Sequence, residues 1–274
     1  MMRSLYSAIS GLKNHQIKMD VIGNNIANVN TTGYKRSRVT FATMLSQTLK
    51  GASTPTAATG GTNPMQVGLG ASLGSIDQIM TQGSAQSTGN PTDMMIQGPG
   101  FFALTTNGTD RIYSRSGAFS LDALGNLVDP ASGAQVLDAD DATPINIAPN
   151  TYSSYSIDKT GAITGILSAT GLPTPIGNVQ IATFANEAGL TSMGGSFYTV
   201  SNNSGPATPY GVAATAGTYP SGTTLVSSAV EMSNVDLSTE FTDMIVAQRG
   251  FQANSRVITV SDSLLQELID LKRN

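Results

Sequence analysis

Residues 231–273 read EMSNVDLSTEFTDMIVAQRGFQANSRVITVSDSLLQELIDLKR. Large apolar residues recur in this stretch at intervals of seven, at Leu237, Met244, Phe251, Ile258 and Leu265. A seven-residue repeat keeps one stripe of a helix facing a partner helix. The stretch therefore predicts a long helix that starts near residue 236, with Ser233 or Asn234 as its N-cap. At ~1.5 Å per residue such a helix is roughly 50 Å long, so it needs partners along its length.

A second helix is predicted at the other end of the chain. Apolar residues there also lie seven apart or beside that repeat, at Leu5, Ile9, Leu12, Met19 and Ile26. The simplest arrangement pairs the two ends as a coiled coil, with the middle of the chain looped out between them. Two ordinary amphipathic helices that pack separately on a globular core show similar stripes, so periodicity leaves both arrangements open.

The composition excludes several classes of protein and site. The 274 residues include no Cys, which excludes disulfides and thiolate metal sites. Charged residues make up only 12% and the net charge is −4, so a general nucleic-acid-binding protein is not expected. No stretch is long and apolar enough for membrane insertion, and residues 1–27 lack the continuous apolar run of a cleaved signal peptide.

Candidate residues for catalysis or metal binding are few. His15 is the only histidine and lies inside the N-terminal helix, where we expect an ordinary solvated or subunit-facing side chain. Asp138, Asp140 and Asp141 could bind calcium, but the run lacks the glycine and distal glutamate of an EF-hand loop, so we expect a solvated loop. The sequence predicts no catalytic residue, no cofactor and no metal site, and therefore no enzyme.

The order of elements predicts an α+β fold in four parts. These are an N-terminal helix at 1–30, a turn and extended connector at 31–72, a central, mainly antiparallel β-domain at 73–230, and a C-terminal helix at 231–274 that pairs with residues 1–30. Within the connector, apolar residues at helical spacing predict a short helix over 41–49. Lys35, Arg36 and Arg38 form a basic cluster, for which we expect a solvated face or a contact with an acidic neighbouring subunit.

The β-domain is predicted from short strands separated by tight turns. Residues 101–105 lead through Asn107-Gly108 to residues 111–114, and Asn-Gly is a strong hairpin signal. Further hairpins are expected where 119–121 and 127–128 flank Gly125-Asn126, and where 155–157 and 162–164 flank residues 158–161. Several short strands with Gly-rich turns are typical of an all-β domain.

Long motifs at both ends and in the middle resemble the flagellar rod and hook protein family. They are SLYSAISGL at 4–12, MDVIGNNIANVNTTGYK at 19–35, GPGFF at 98–102, YSRSGAF at 113–119, EMSNVDL at 231–237 and MIVAQRGFQANS at 244–255. The residues that match the family motifs most distinctively are Asn24, Asn25, Asn28, Gly33, Asn234, Gln248 and Arg249. The resemblance covers nearly the whole chain in order, and motifs of this length are highly specific.

The resemblance implies an axial flagellar subunit that polymerises into a helical tube. Its expected partners are copies of itself, other axial proteins of the rod, hook–filament junction and hook cap, and the flagellar type III export apparatus. The ten apolar residues at heptad spacing are expected at subunit interfaces. We expect the termini of the free subunit to be loosely held, because isolated helices are only marginally stable in water.

Two members of the family remain candidates for this chain. The ends resemble the short hook proteins of Gram-positive bacteria, and we favour the hook, the flexible joint between rod and filament. The length resembles the distal rod protein, which is the alternative. The segment from Lys50 to Asn63 lies where rod and hook subunits differ in stiffness. A secreted β-rich adhesin with the helices as a stalk is a more distant alternative.

Overall fold

The computed structural model describes residues 2–56, 60–108, 110–139, 143–210 and 222–273. The chain forms two compact units. The first, which we call the helical unit, contains Met1–Ala27, Ser37–Gln78 and Asp236–Asn274. The second, which we call the β unit, contains Asn28–Arg36 and Ile79–Val235. The predicted α+β class is confirmed, with two helices and mainly antiparallel β-structure.

Two long helices belong to the helical unit. Helix α1 spans Met2–Ala27 and helix α2 spans Leu237–Arg273, so the predicted long C-terminal helix is confirmed. The N-cap of α2 is Asp236, whose carboxylate accepts hydrogen bonds from Ser238 N at 2.9 Å and Thr239 Oγ1 at 2.9 Å. The prediction of Ser233 or Asn234 as the cap is wrong. An aspartate next to the first turn also suits the positive end of the helix dipole.

A long two-stranded ribbon completes the helical unit. Its strands are β1 Ser37–Thr43, β2 Ser46–Lys50, β3 Met65–Gly68 and β4 Ala71–Gln78. Strand β1 pairs antiparallel with β4 from Ser37↔Gln78, β2 pairs with β3, and a bridge joins Ser53 to Thr62. The predicted helix over 41–49 is therefore wrong. The Ser- and Thr-rich segment favours an extended chain, and nine residues are too few for helical spacing to be decisive.

The β unit is built from sixteen further strands within the described residues. They are β5 Ala85–Ser87, β6 Met94–Gln97, β7 Phe101–Thr105, β8 Arg111–Ser114, β9 Ser120–Leu121, β10 Leu127–Val128, β11 Gln135–Val136, β12 Tyr152–Ile157, β13 Ala162–Leu167, β14 Pro173–Asn178, β15 Ile181–Thr183, β16 Thr191–Gly194, β17 Phe197–Thr199, β18 Thr208–Tyr210, β19 Thr224–Ser227 and β20 Ala229–Glu231. A short 3₁₀ helix spans Glu187–Gly189.

The largest sheet of the β unit has nine strands. Its main path is β16-β17-β8-β7-β11-β10-β9, and β15 joins β7 to β18. A three-stranded sheet has the order β12-β13-β14, and two pairs, β6 with β19 and β5 with β20, connect the C-terminal part of the unit to its beginning. The predicted hairpins at β7–β8, β9–β10 and β12–β13 are confirmed. Gly108 has φ +75°, as the turn after Asn107 requires.

The apolar core lies in the β unit. One cluster contains Phe102, Leu104, Leu127 and Ile163, and a second lies around Phe101 and Tyr113. Successive residues of β7 enter different clusters because side chains alternate between the two faces of a strand. Strand β7 is thus buried on both faces, which explains why its sequence, FFALT, is almost continuously apolar.

Candidate functional site

Helices α1 and α2 contact each other within the helical unit. Four pairs mark the line of contact: Gly11 with Asn254, His15 with Gly250, Lys18 with Asp243, and Asn25 with Glu240. Residue numbers rise along one helix as they fall along the other, so the helices are antiparallel. A Cβ atom on Gly250 would stand 2.5 Å from the His15 ring, so the absence of a side chain permits this close approach.

The line of contact between the helices is made of small and polar residues. Glu240, Ala247 and Ser261 of α2 are buried and lie seven and then fourteen residues apart, with the half-buried Asn254 at the heptad position between the last two. Ala8 and Ile22 are the buried apolar residues of α1. The heptad is therefore real in α2, but its buried positions are not the large apolar ones. The predicted coiled coil with an apolar seam between the two ends is not confirmed.

The ten predicted interface residues lie beside this line. Leu5, Leu12, Met19, Ile26, Met244, Phe251, Ile258 and Leu265 are half-buried, and Ile9 and Leu237 are exposed over 51% and 39% of their surface. None of the ten is fully buried within the chain. Their assignment to subunit interfaces stays a prediction.

The helical unit exposes many large apolar side chains. On α2 they are Leu237, Phe241, Ile245, Val246, Val257, Val260, Leu264, Leu268, Ile269 and Leu271; on the ribbon they are Phe41, Met44, Leu45, Leu49, Met65, Val67, Leu69, Leu73 and Ile76; on α1 they are Tyr6 and Ile9. We call this set the exposed apolar surface. Large apolar surface of this kind marks a site of protein–protein interaction.

The ribbon contributes to this surface with both of its faces. Every residue from Phe41 to Lys50 is exposed, as are Met65 to Leu69 on the return strand. A two-stranded ribbon without a covering layer is marginally stable at best in water. The far half of the ribbon therefore has the properties of an element that packs against another molecule.

The junction of α1, α2 and β1 is held by one buried amide. Asn25 Oδ1 accepts a hydrogen bond from Ser37 N at 2.9 Å, and its Nδ2 donates to Ser37 O at 2.8 Å and to Glu240 Oε2 at 3.2 Å. The side chain thus replaces a strand partner for Ser37, which satisfies backbone groups in a buried place. This contact gives the motif residue Asn25 a structural role.

Two other motif residues hold together the β unit, at the point where its first and last segments meet. Gly33 N donates to Glu231 O at 2.8 Å. Gly33 has φ +68°, and a Cβ atom there would stand 2.5 Å from Ser116 N, so only glycine fits. Asn234 Oδ1 accepts from Arg36 N at 2.8 Å, and its Nδ2 donates to Ile79 O at 2.8 Å.

A buried cluster of charged side chains lies next to these contacts. Lys35 and Glu231 have no exposed side-chain surface, and Lys35 Nζ lies 2.6 Å from Glu231 Oε1. Glu231 Oε1 also accepts from Gly83 N at 2.8 Å, and Arg115 Nη1 lies 3.5 Å from Glu231 Oε2. Arg115 Nη2 donates to Gly98 O at 2.8 Å. One carboxylate thus neutralises two buried cations that come from distant parts of the sequence.

Burial lowers the pKa of Lys35, and the attraction of Glu231 opposes this effect. The expectation of a solvated basic cluster is therefore wrong for Lys35, although Arg38 is exposed and lies 3.7 Å from Asp77. Sequence reasoning also missed Arg115 and Glu231 as structural residues. Their positions within the long motifs are the only signal in the sequence that points to them.

The remaining motif residues are not gathered at one place. Asn28 ends α1 in a turn, where its O accepts from Thr31 N at 3.1 Å. Asn24, Gln248 and Arg249 are exposed. For the calcium candidates, Asp138 Oδ1 accepts from Asn178 N at 2.9 Å, whereas Asp140 and Asp141 lie outside the described residues. Within the ranges that the structure describes, no three acidic, His or Cys residues are grouped as a metal site would require.

Three family models match the chain in order. The model of the flagella basal body rod protein matches residues 5–35, that of the flagellar hook protein FlgE/F/G D1 domain matches 95–165, and that of the flagellar basal body rod FlgEFG protein C-terminal matches 226–271. The flagellar basal-body rod protein FlgG of Bacillus subtilis is 50% identical over 273 residues, which covers 100% of both chains. The chain belongs to the flagellar rod and hook protein family.

Other relatives include both rod and hook proteins. The rod protein FlgG of Agrobacterium fabrum is 38% identical over 266 residues, which covers 96% of this chain and 97% of the relative. The hook protein FlgE of Borreliella burgdorferi is 30% identical over 448 aligned residues, which covers 99% of this chain and 100% of the relative. Since this chain has 274 residues, that hook protein contains segments that are absent here.

Membership in the flagellar rod and hook protein family answers several questions raised by the sequence. The chain is a structural subunit of the flagellar axis that polymerises with other rod or hook components, and it is not an enzyme. The rod and hook relatives also confirm the predicted localisation in the flagellum. Among the described helices, none combines the length and hydropathy needed to cross a membrane. The adhesin alternative has no support.

Proposed function

We propose that this chain is the subunit of the distal rod, the stiff shaft of the flagellar axis. The observation that carries the proposal is the end-to-end similarity to a rod protein, at 50% identity over 100% of both chains. The hook relatives match at lower identity and carry additional segments. This proposal reverses the preference for the hook that the ends of the sequence suggested.

The ribbon supports a stiff rather than a flexible polymer. Its exposed side chains Leu45, Leu49 and Met65 are each more than half accessible and have no layer over them within the described structure. In a polymer the ribbon would lie against neighbouring subunits and bury these side chains. Such apolar contacts resist sliding, because any displacement exposes apolar surface to water.

The terminal helices would form contacts between copies. The ten half-buried or exposed stripe residues, with Phe251 and Met244 near the middle of α2, would complete their burial against helices of neighbouring subunits. Each subunit must offer two different patches, so that stacking continues and does not close. The free subunit would hold its helices loosely and order them on assembly.

Loosely held terminal helices in the free subunit would also favour export of the chain to the growing tip of the flagellar axis. We propose export through the flagellar type III apparatus without a cleaved signal peptide, and end contacts with the other axial proteins, including the hook–filament junction and hook cap. A chain without Cys has no thiols to cross-link on the way.

The hook remains the second candidate. The observation in its favour is the 30% identity to the Borreliella burgdorferi hook protein, which covers 99% of this chain. Complementation separates the two functions. The chain would be expressed in one Bacillus subtilis strain that lacks its FlgG rod protein and in another that lacks its hook protein. We expect basal bodies with completed rods in the first strain only; hooks restored in the second strain alone would favour the hook.

A further inference from the structure

The last turns of α2 extend past the end of α1. Gly11 lies opposite Asn254 and His15 opposite Gly250, so paired residue numbers add to 265. On this register Met2, the first residue of α1, is level with residue 263. Among the described residues, 264–271 therefore have no part of α1 beside them. We call this segment the overhang.

The overhang exposes both large apolar side chains and acidic side chains. Leu268 and Ile269 are exposed over 51% and 60%, and the same turns carry two exposed acids, Glu267 and Asp270. Within the described part of the chain, neither acid has an ion pair. Most of the stability of helices in proteins comes from packing of an apolar face, so we expect another molecule to cover this helix end.

A complementary surface lies further back on the same helix. Arg249 and Arg256 are seven residues apart and exposed, and a shallow depression between them is lined by Gln252 and Ala253. At 100° per residue, both arginines lie about half a turn from the buried positions Ala247 and Ser261, on the side of α2 that faces away from α1. No ion pair includes either arginine among the described residues. We call this surface the basic band.

We infer that the overhang of one subunit docks on the basic band of a second copy, with Glu267 and Asp270 paired to Arg249 and Arg256. This inference rests on the proposed function as a polymerising subunit. It specifies how far the α2 helices of neighbouring copies are displaced along each other. The centres of the two charged pairs are 16 residues apart, so the parallel copies are displaced by about 24 Å along α2. Val246 and Val260, exposed over 56% and 58%, flank the basic band and would cover the apolar side chains of the overhang.

The parallel orientation follows from the open-ended growth of the polymer. In this arrangement each α2 offers its overhang to one neighbour and its basic band to another, so the contact repeats without closing. An antiparallel arrangement of the same charges would make a two-fold symmetric dimer centred near Val260, and such a dimer would stop growth. The two arrangements therefore predict different products.

Charge reversal of the full-length chain tests the contact. The variants are Arg249→Glu with Arg256→Glu, Glu267→Arg with Asp270→Arg, and all four together. Polymer is measured by sedimentation and electron microscopy. We expect each double variant to raise the critical concentration about tenfold or more and the fourfold variant to return to within about threefold of wild type. Arg111→Glu with Lys159→Glu, exposed cations of the β unit, is the charge-matched control and should assemble normally.

Cysteine cross-linking tests the orientation, since the chain contains no Cys. A mixture of Gln252→Cys and Gln266→Cys subunits should give mixed dimers with a short bismaleimide linker, and Val260→Cys alone should give none. Abundant Val260→Cys dimers would overturn the parallel register. If every charge-reversal variant forms tubes at the same critical concentration as the wild type, the inference is overturned and the proposed function stays intact. A wild-type chain that neither polymerises nor completes rods would overturn both.

Discussion

The two units of this protein differ in where they keep their apolar residues. Among the described residues, 27 of the 30 buried apolar residues belong to the β unit, whereas 21 of the 28 exposed large apolar residues belong to the helical unit. The β unit thus satisfies its apolar surface internally. The helical unit leaves that surface open, which is the expected property of an element that is completed by neighbouring subunits.

The units also differ in how they treat charge. The β unit buries Lys35, Arg115 and Glu231 and satisfies them with one another and with backbone groups. The helical unit keeps most of its charges at the surface, where Arg38 and Asp77 retain side-chain accessibilities of 58% and 42%. Damage to the β unit should therefore appear as lost stability, and damage to the helical unit as lost assembly.

The largest expected effect is on assembly. Replacing Phe251, half-buried on α2, by Asp places a charge where the proposed polymer buries an aromatic ring. We expect no polymer at concentrations about a hundredfold above the wild-type critical concentration. Thr259→Asp, an exposed polar position on the same helix, is the control and should assemble. The separation of the two units is contradicted if Phe251→Asp polymerises normally or unfolds the β unit, as judged by near-ultraviolet circular dichroism.

The next effect is on the stability of the β unit. Glu231→Gln leaves Lys35 and Arg115 buried without their carboxylate, and breaking a buried pair costs about 3–5 kcal/mol of unfolding free energy. Denaturant unfolding of the full chain measures it. Asp110→Asn, an exposed carboxylate of the same unit, should change stability by less than about 0.5 kcal/mol. Adding Lys35→Met to Glu231→Gln should recover part of the loss; no recovery would argue against charge burial as the cause.

A smaller effect is expected at alkaline pH. Burial raises the pKa of Tyr198 to about 12, with Tyr34 adding to the rise. The unfolded chain then releases this proton first, so the contribution of Tyr198 is complete below pH 10 and is lost as the pH rises to about 12. A shift of this size corresponds to about 2–3 kcal/mol. Burial lowers the pKa of Lys35, which produces the opposite slope below pH 10.5.

Tyr198→Phe removes this titration and leaves that of Lys35 in place. The free energy of unfolding of the variant should therefore fall less steeply above pH 10 than that of the wild type. Equal slopes for the two chains would show that the Tyr198 hydroxyl is not protected from ionisation in the folded β unit.

The smallest expected effect is the stability change on removal of Arg38, which we compare with removal of Lys35, a cation three residues earlier. Arg38→Ala removes an exposed ion pair of the ribbon and should change the stability of the β unit by less than about 0.5 kcal/mol. Lys35→Ala, three residues earlier, should act as strongly as Glu231→Gln. Similar losses for the two variants would contradict the division between the units at residues 36 and 37.

The sequence predicts those elements whose signals are local. Helix α2 follows from its uninterrupted periodicity, and the β7–β8 hairpin follows from Asn107-Gly108 between apolar runs. The ribbon escapes prediction because its pairing joins Ser37 to Gln78 across forty residues of weak pattern. Lys35 escapes prediction because its partner, Glu231, lies 196 residues away, and one sequence contains no record of that contact.

The contact between the helices shows a second limit. Large apolar residues at heptad spacing predict a seam, but the closest approach of the helices is at Gly11, Gly250 and Ala247, beside the stripe of large residues and not on it. Small residues carry little signal in a hydrophobic pattern, although they decide which faces can come close. The apolar residues at heptad spacing do form a stripe, and their side chains remain partly exposed to solvent.

Hydrogen exchange on the full-length chain, as free subunit and as polymer, tests the central contrast most directly. In the free subunit we expect amides of β7 and β8 to exchange only with global unfolding, and those of α2 and the ribbon to exchange faster by several orders of magnitude. On assembly, α2 and the ribbon should gain strong protection while the β unit changes little. Free subunits with α2 protected as strongly as β7, and no change on assembly, would contradict the account.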